Sequence, residues 1–285
     1  MPTIRILETT VEMEQAEELQ RVVWPGCETD VLPLHLLVTL THNGGLVLGA
    51  YEDEKMVGLL VGFVGLYDVP DGPRPKHCSH ELAVLPEARN AGIGFALKRV
   101  QWQIVRKQGL DRITWTYDPL LSPNAHLNIA RLGVVCNTYL REVYGEMRDG
   151  LNVGLPSDRF QVDWWLNTRR VEQRLGSHPR PALTLADIEA TDAQTLYPVD
   201  STGAFIRPPG HLTVPDAPLL LAEIPSDFSQ LKAADSELAR AWRFFSREMF
   251  ESCFSAGYLV TDFVYDTSGD RPRSFYVLTH GEATM

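Results

Sequence analysis

Cysteine is scarce in this chain of 285 residues: Cys27, Cys78, Cys136 and Cys253 lie far apart and form no C-x-x-C pair. A disulfide framework and a thiolate zinc site are both disfavoured by that spacing. No uncharged apolar run approaches the ~20 residues of a membrane span. Residues Met1 to Thr10 show no basic stretch followed by an apolar one, so no secretory leader is expected. Basic residues are the minority, 26 Lys and Arg against 37 Asp and Glu, for a formal net charge of −11. Nucleic acid and anionic membranes require a basic face, so neither is expected as a partner. A local basic patch for a phosphorylated small molecule is still compatible with that sign. With 44% hydrophobic and 22% charged residues, the chain can bury a sizeable core as one long domain or as two. A cytoplasmic protein is the default expectation; whether it forms a homodimer stays open.

The patterns that are present alternate between strand and helix. Thr3 to Leu7 reads as a strand, and Thr10 before Val11-Glu12-Met13-Glu14 reads as a helix N-cap. A second helix is expected from Leu34 to Leu40, and strands from Leu46 to Tyr51, Met56 to Leu66 and His77 to Leu85. Gly58, Gly62 and Gly65 suit a bent strand. Gly92 to Gln108 carries the stripe Ile93, Leu97, Val100 and Ile104, and Gly109 sits where a helix should stop. Arg112 to Tyr117 is a strand, helical pieces are expected between Ala125 and Val143, and a strand follows around Phe160 to Leu166. The order predicts an α/β fold with a mixed sheet flanked by helices.

Gly176, Pro179 and Pro181 mark a linker at about 175–182, dividing a domain of residues 1–174 from a smaller α/β block of residues 183–285. That block echoes the first: Leu219 to Ile224 before Pro225, a helix from about Asp235, and a strand Leu259 to Tyr265 repeat the order found around Glu81 to Tyr117. A degenerate half-copy and a chance strand-helix-strand unit both fit. Ser226 to Ala234 has no glycine, so this second turn is not expected to approach a pyrophosphate.

The chemistry centres on Arg89-Asn90-Ala91-Gly92-Ile93-Gly94. Two glycines allow a tight turn that brings backbone N–H groups near a ligand. Those groups open a helix, so unpaired donors and the positive end of the dipole coincide, which suits a diphosphate. Arg89 adds a cation beside the loop, and Lys98 with Arg99 is placed one turn on for a further phosphate. A glycine-bearing turn before a core helix is the plainer reading. Neither Gly-Lys-Ser/Thr nor a third glycine at Leu97 is present, which sets the loop apart from nucleotide loops.

The run Val84-Leu85-Pro86-Glu87-Ala88-Arg89-Asn90-Ala91-Gly92-Ile93-Gly94 resembles the acyl-CoA-binding motif of the GNAT superfamily. The resemblance implies an N-acyltransferase using acetyl-CoA or succinyl-CoA, no metal, and a small amino-acid-like amine as acceptor. It also implies that the strand His80 to Leu85 splays from Ile113 to Tyr117 to admit the pantetheine arm. Leu82, Ala83 and Val84 would present backbone groups to the cofactor, an N–H near Leu82 or Ala83 polarising the thioester carbonyl. Glu81 is a candidate base; His80, its neighbour, is expected on the opposite face, so that only one of the two meets the substrate.

Ile129 stands where the family often has a Tyr that protonates the leaving thiolate; Tyr139 and Tyr144 are nearby candidates for that role, or packing aromatics. Asn124 is expected beside the cofactor, with His126 and Asn128 lining an acceptor pocket. Trp115 and the stretch Asn124-Ala125-His126-Leu127-Asn128 further resemble a GNAT branch with an added C-terminal half-domain, associated in some relatives with N-succinylation. Arg159 or Arg131 would then read a carboxylate bidentately, or Asp158 and Arg159 form a loop ion pair. A non-catalytic acyl-CoA-binding regulator of the same fold is the alternative.

Overall fold

The computed structural model describes residues 2–26, 28–145, 154–176 and 179–281; Cys27 and part of the expected linker lie outside them. The described residues fall into two compact units, 2–115 and 116–281.

The first unit opens with β1 (Thr3–Ile6) and helices α1 (Thr10–Val23) and α2 (Leu34–His42). The α1 cap is Thr9 rather than Thr10: its hydroxyl accepts from Glu12 N–H while the Glu12 carboxylate accepts from Thr9 N–H. Either threonine has the right chemistry, but only Thr9 stands three residues before a glutamate, as a capping box requires. Strands β2 (Leu46–Glu52), β3 (Lys55–Tyr67), β4 (Arg74–Val84) and β5 (Arg112–Tyr117) follow, with helix α3 (Ile93–Lys107) between the last two. Their order is β1-β2-β3-β4-β5, antiparallel except for the β4–β5 pair.

Both faces of β3 are covered, Leu59 and Leu60 being fully buried. Gly58, Leu60 and Gly62 share the α3 face, because a Cβ at Gly58 would press on Ile93 and Leu97. The glycines of β3 therefore serve close packing rather than a bend. At Gly62 a Cβ would collide with His77 Nε2 and lie 2.9 Å from the Cys78 carbonyl oxygen.

The unit boundary falls within β5. Beyond it come a short helix α4 (Ser122–Ala125), a π-helical turn His126–Leu132, and β6 (Val135–Leu140). The helical turn lies where helical pieces were expected, between Ala125 and Val143, and β6 takes the later part of that stretch. Gly133, at φ 77°, ends the helical turn in the left-handed region. After it, Val134, Val135, Thr138 and Tyr139 carry the β-branched and aromatic character of a strand. β7 (Arg159–Trp165), α5 (Arg169–Leu175), α6 (Leu185–Glu189), β8 (Gln194–Thr195), β9 (Leu219–Ile224), α7 (Phe228–Ala234), α8 (Ser236–Ser255), β10 (Tyr258–Asp266) and β11 (Arg273–His280) complete the unit.

The second unit's strand order is β7-β6-β10-β11-β9-β8. Gly176 caps α5, and the described residues of the expected linker, 175–176 and 179–182, fall within this unit. β9 and β10, the strands that echo β4 and β5 in sequence, are separated by β11, whereas β4 and β5 pair directly.

Gly62→Ala is expected to destabilise the first unit by about 1–3 kcal/mol, because the buried ring of His77 and a backbone carbonyl must both yield. Urea unfolding of wild type and variant measures it, and an unchanged midpoint would refute the packing account.

Candidate active site

Val84 ends β4, a short turn Pro86–Ala88 follows, and the chain enters α3 through Arg89, Asn90, Ala91 and Gly92. Asn90 and Gly92 sit at φ 65° and 79°, so the loop doubles back within three residues. Gly92 is the N-cap and brings no side chain to the helix end. Ala96 N–H closes the first turn onto the Gly92 carbonyl at 3.0 Å. The amides of Ile93 and Gly94, ahead of it, belong to the first turn, whose N–H groups have no intrahelical acceptor. Arg89 is exposed and donates from Nε to the Val84 carbonyl at 3.3 Å, which ties its guanidinium to the end of β4. Glu87 pairs with Lys55 at 2.8 Å.

The β4–β5 ladder consists of His77↔Ile113 and Cys78↔Thr114. Past Cys78 the two strands part, so the stretch 79–84, with Leu82, Ala83 and Val84, faces a split on its β5 side. Ile113 and Thr114 were expected to lie in that split; they pair, and on β5 it opens two residues later, at Trp115.

A bulge in β4 changes the reading of the candidate bases. The β3–β4 register runs Val61↔Glu81 and then Gly62↔Ser79, leaving His80 as the extra residue. Cross-strand partners share a face, which puts Ser79 on the α3 side with Gly62 and Glu81 on the other with Val61. The bulge turns His80 toward the Glu81 side as well. Its Nε2 lies 3.8 Å from Glu81 Oε1, and its ring is 6.1 Å from that of Phe63. The expected opposition of His80 and Glu81 is overturned: alternation fails across one extra residue, and the two meet.

Glu81 is 13% exposed at its side chain, and Oε2 is buried without a hydrogen-bond partner. Burial pushes its carboxyl up to about 7. Burial also lowers the pKa of His80, whose side chain is half-exposed. A carboxyl that ionises near neutrality beside an imidazole open to solvent can take a proton and hand it on.

On the α3 face the structure corrects another expectation. Lys98 is 2% exposed and points beneath the sheet rather than toward a phosphate outside the loop. Its Nζ donates to Ser79 Oγ at 2.8 Å and lies 3.6 Å from the centroid of the Trp115 ring. Ser79 Oγ donates in turn to Gln101 Oε1 at 3.3 Å. Lys98 falls on the buried stripe between Leu97 and Gln101, the helical signal that marks it as interior. Arg99 remains exposed. His77, fully buried over Gly62, is pushed down to about 4 by burial and by the charge of Lys98.

The remaining candidates lie in the second unit. Tyr139 donates to Asp158 Oδ2 at 2.9 Å, and burial together with that carboxylate raises its pKa. Its proton is committed, which argues against a role as acid. Tyr144 is exposed, with its hydroxyl 2.7 Å from Thr116 Oγ1. Asn124 is exposed on α4 and Asn128 is buried. His126 is partly buried, with an unpartnered Nδ1, and its pKa is lowered by burial and by Arg131. Arg159 is buried, donates to the Asp158 carbonyl at 2.8 Å and lies 3.9 Å from Asp118 Oδ2. An engaged interior guanidinium is not the open carboxylate reader that the sequence suggested, and Asp158 pairs instead with Arg247 at 2.8 Å. Among the described residues no three His, Cys, Asp or Glu side chains are grouped to hold a metal, and no helix is long and apolar enough to cross a membrane.

The uncapped helix N-terminus and the split between parallel strands fall within residues 10–129, the stretch matched by the acetyltransferase (GNAT) family model. This segment belongs to the GNAT family. The GNAT segment includes the loop, α3, β4 and β5. Among solved structures the chain is similar to the ribosomal-protein-S18-alanine N-acetyltransferase from Escherichia coli, at 17% identity over 59% of this chain and 96% of that one, with a TM-score of 0.44. It is also similar to Arabidopsis thaliana NAA60 in complex with acetyl-CoA, at 15% identity over 58% and 99%, TM-score 0.46. An acetyltransferase of the GNAT family from Streptococcus pneumoniae gives 16% identity over 57% and 98%, TM-score 0.43. No curated protein matches the sequence significantly.

The raised Glu81 pKa fixes the sign of a stability effect. Its folded value, about 7, lies above the ordinary carboxyl value of 4.5, so the native state holds a proton that the unfolded state has released between those limits. Stability from this group therefore falls as pH rises from about 4.5 to 7. Glu81→Gln is expected to be more stable than wild type by roughly 1–3 kcal/mol at pH 8, at about 1.4 kcal/mol per unit, and to lose that advantage at pH 4. Unfolding at the two pH values checks it; equal differences would show that Glu81 ionises normally.

Proposed function

We propose that this chain is a CoA-dependent N-acyltransferase that moves an acetyl or succinyl group from acyl-CoA to the amine of a small amino-acid-like acceptor. The observation that carries the reading is the pairing of the open α3 N-terminus with Glu81 and His80, one at the head of the split and the other beside its vertex. Amides of the first α3 turn would hold the pyrophosphate, with Arg89 beside them. Backbone N–H groups along Leu82 to Val84 supply donors for the pantetheine arm and thioester carbonyl. Glu81, ionised near neutrality, takes the proton of the attacking amine, and half-exposed His80 passes it to water.

Of the two expected readers of a distal carboxylate, Arg159 is engaged inside its own unit, which counts against the succinyl reading, while Arg131 is exposed. A competing reading is a GNAT-fold protein that holds acyl-CoA without turnover; its specific support is Ile129, fully buried where the family often has a Tyr.

Thiol release from acetyl-CoA and from succinyl-CoA, each against D- and L-amino acids and polyamines, separates these readings. Release with acetyl-CoA and a subset of acceptors is expected, with kcat/KM rising through pH ~7 and falling about 10²- to 10⁴-fold in Glu81→Gln. Gly92→Asp is expected to abolish both turnover and thermal stabilisation by CoA, since it strains φ 79° and places a carboxylate at the anion site. Stabilisation by CoA with no release from any acceptor would favour the non-catalytic reading, and no stabilisation would refute the loop assignment.

A further inference from the structure

The first unit has one charged side chain at the vertex of the split that the account above leaves without a task. Lys98 lies six residues into the chain from Gly92, about 9 Å of helix rise below the loop. Its Nζ touches Ser79 Oγ and lies over the Trp115 ring. Ser79 and Trp115 are the first residues past the last β4–β5 pair, Cys78↔Thr114, on their respective strands. The ammonium thus bridges the vertex from the α3 face. An arm anchored by its pyrophosphate at Gly92 and running down the split carries its sulfur toward that vertex. Glu81 occupies the opposite face of β4, so a thioester carbonyl lying in the split has the base on one side and Lys98 on the other.

We propose that Lys98 receives the departing thiolate. This deepens, and rests on, the acyltransferase reading. The amine nitrogen bonds to the carbonyl carbon and gives its proton to Glu81. The carbon–sulfur bond then breaks with its electron pair on sulfur, and an Nζ–H proton of Lys98 moves to that sulfur, leaving CoA thiol and a neutral lysine. One proton is gained by Glu81 and one is lost by Lys98; water resets both when products leave, by way of His80 for Glu81 and through the emptied split for Lys98. The surroundings suit the task. Trp115 offers a π-face to the cation, Ser79 accepts one N–H, and His77 of β4 and Gln101 of α3 are polar neighbours of the cluster. Burial holds the Lys98 pKa well below its ordinary value, so its ammonium is a better acid than an exposed lysine. The position of Ile129 is consistent with the thiolate being met from α3 instead.

The test follows the sulfur and does not depend on turnover. CoA carrying an isotope label on the carbon beside sulfur is bound to the full-length protein, and its thiol is titrated by nuclear magnetic resonance. In wild type the bound thiol is expected to ionise at least about one unit below the value read for free CoA in the same titration, as a neighbouring cation requires. Lys98→Met, matched in length, is expected to raise that value by about one unit or more. Lys98→Arg is expected to keep the lowered value while losing turnover at least about tenfold, because a guanidinium carries charge but does not release its proton. A wild-type value equal to that of free CoA overturns the proposal even if neither variant folds, and equal titrations in wild type and Lys98→Met also overturn it. CoA that binds both proteins with unshifted sulfur refutes only the role of Lys98. CoA that fails to bind wild type refutes the loop assignment and this proposal together.

Discussion

The site depends on a helix end left without a side-chain cap. α1, α5, α6, α7 and α8 each begin with a Thr or Asp whose side chain accepts from a first-turn amide. α3 begins instead on Gly92 in the left-handed region and has no side-chain cap. α2 and α4 also lack such a cap but open behind Pro33 and Leu121, without the double-back that aims several amides at one point. At α3 the unmatched donors coincide with the positive dipole end and with Arg89, and an anion can replace the missing cap. α8 shows the contrast, because Asp235 fills its own helix end, with Oδ1 accepting from Leu238 N–H at 2.9 Å.

Everything else at the site follows from what holds that helix end at the head of the split. α3 can lie close to the sheet because Gly58 admits Ile93 and Leu97, and β4 can bury His77 because Gly62 has no Cβ. The bulge at His80 then adds one residue to β4 just where its pairing with β5 ends. A single extra residue has two consequences. It brings His80 and Glu81 to one face, and it leaves Ser79 on the other, in contact with Lys98. Base and ammonium are thus assigned to opposite faces of the same strand by a register defect.

Much of this was legible in the residues. The glycine loop, the apolar stripe of α3, its stop at Gly109 and the strand Arg112–Tyr117 are local signals, and local geometry obeys them. What stayed hidden is non-local. A bulge is a property of two paired strands, so nothing in His80-Glu81 alone reveals that they share a face. Lys98 reads as a solvent-exposed cation by residue type, and only its place on the buried stripe hints otherwise. Arg159 and Tyr139 read as free functional groups until Asp118 and Asp158 arrive beside them from elsewhere in the chain. β6 was obscured by the helical run before it, although Gly133 followed by Val134 and Val135 carried the change of pattern.

The energetics of Lys98 separate a structural from a functional lysine. Taking an ammonium out of water costs several kcal/mol even after relaxation; the serine hydroxyl and the indole face offset it by ~1 kcal/mol for a hydrogen bond and ~2 for a desolvated cation–π contact. A methionine of similar length would fill the same volume without the penalty, as buried ionic groups replaced by apolar ones often show. The penalty shrinks if an anion arrives, because attraction between opposite charges strengthens in a low-dielectric setting. A thiolate formed at the vertex is such an anion, present only when the carbon–sulfur bond opens. The ammonium is then better solvated in the transition state than in the resting protein, which is the condition for a buried charge to accelerate a reaction.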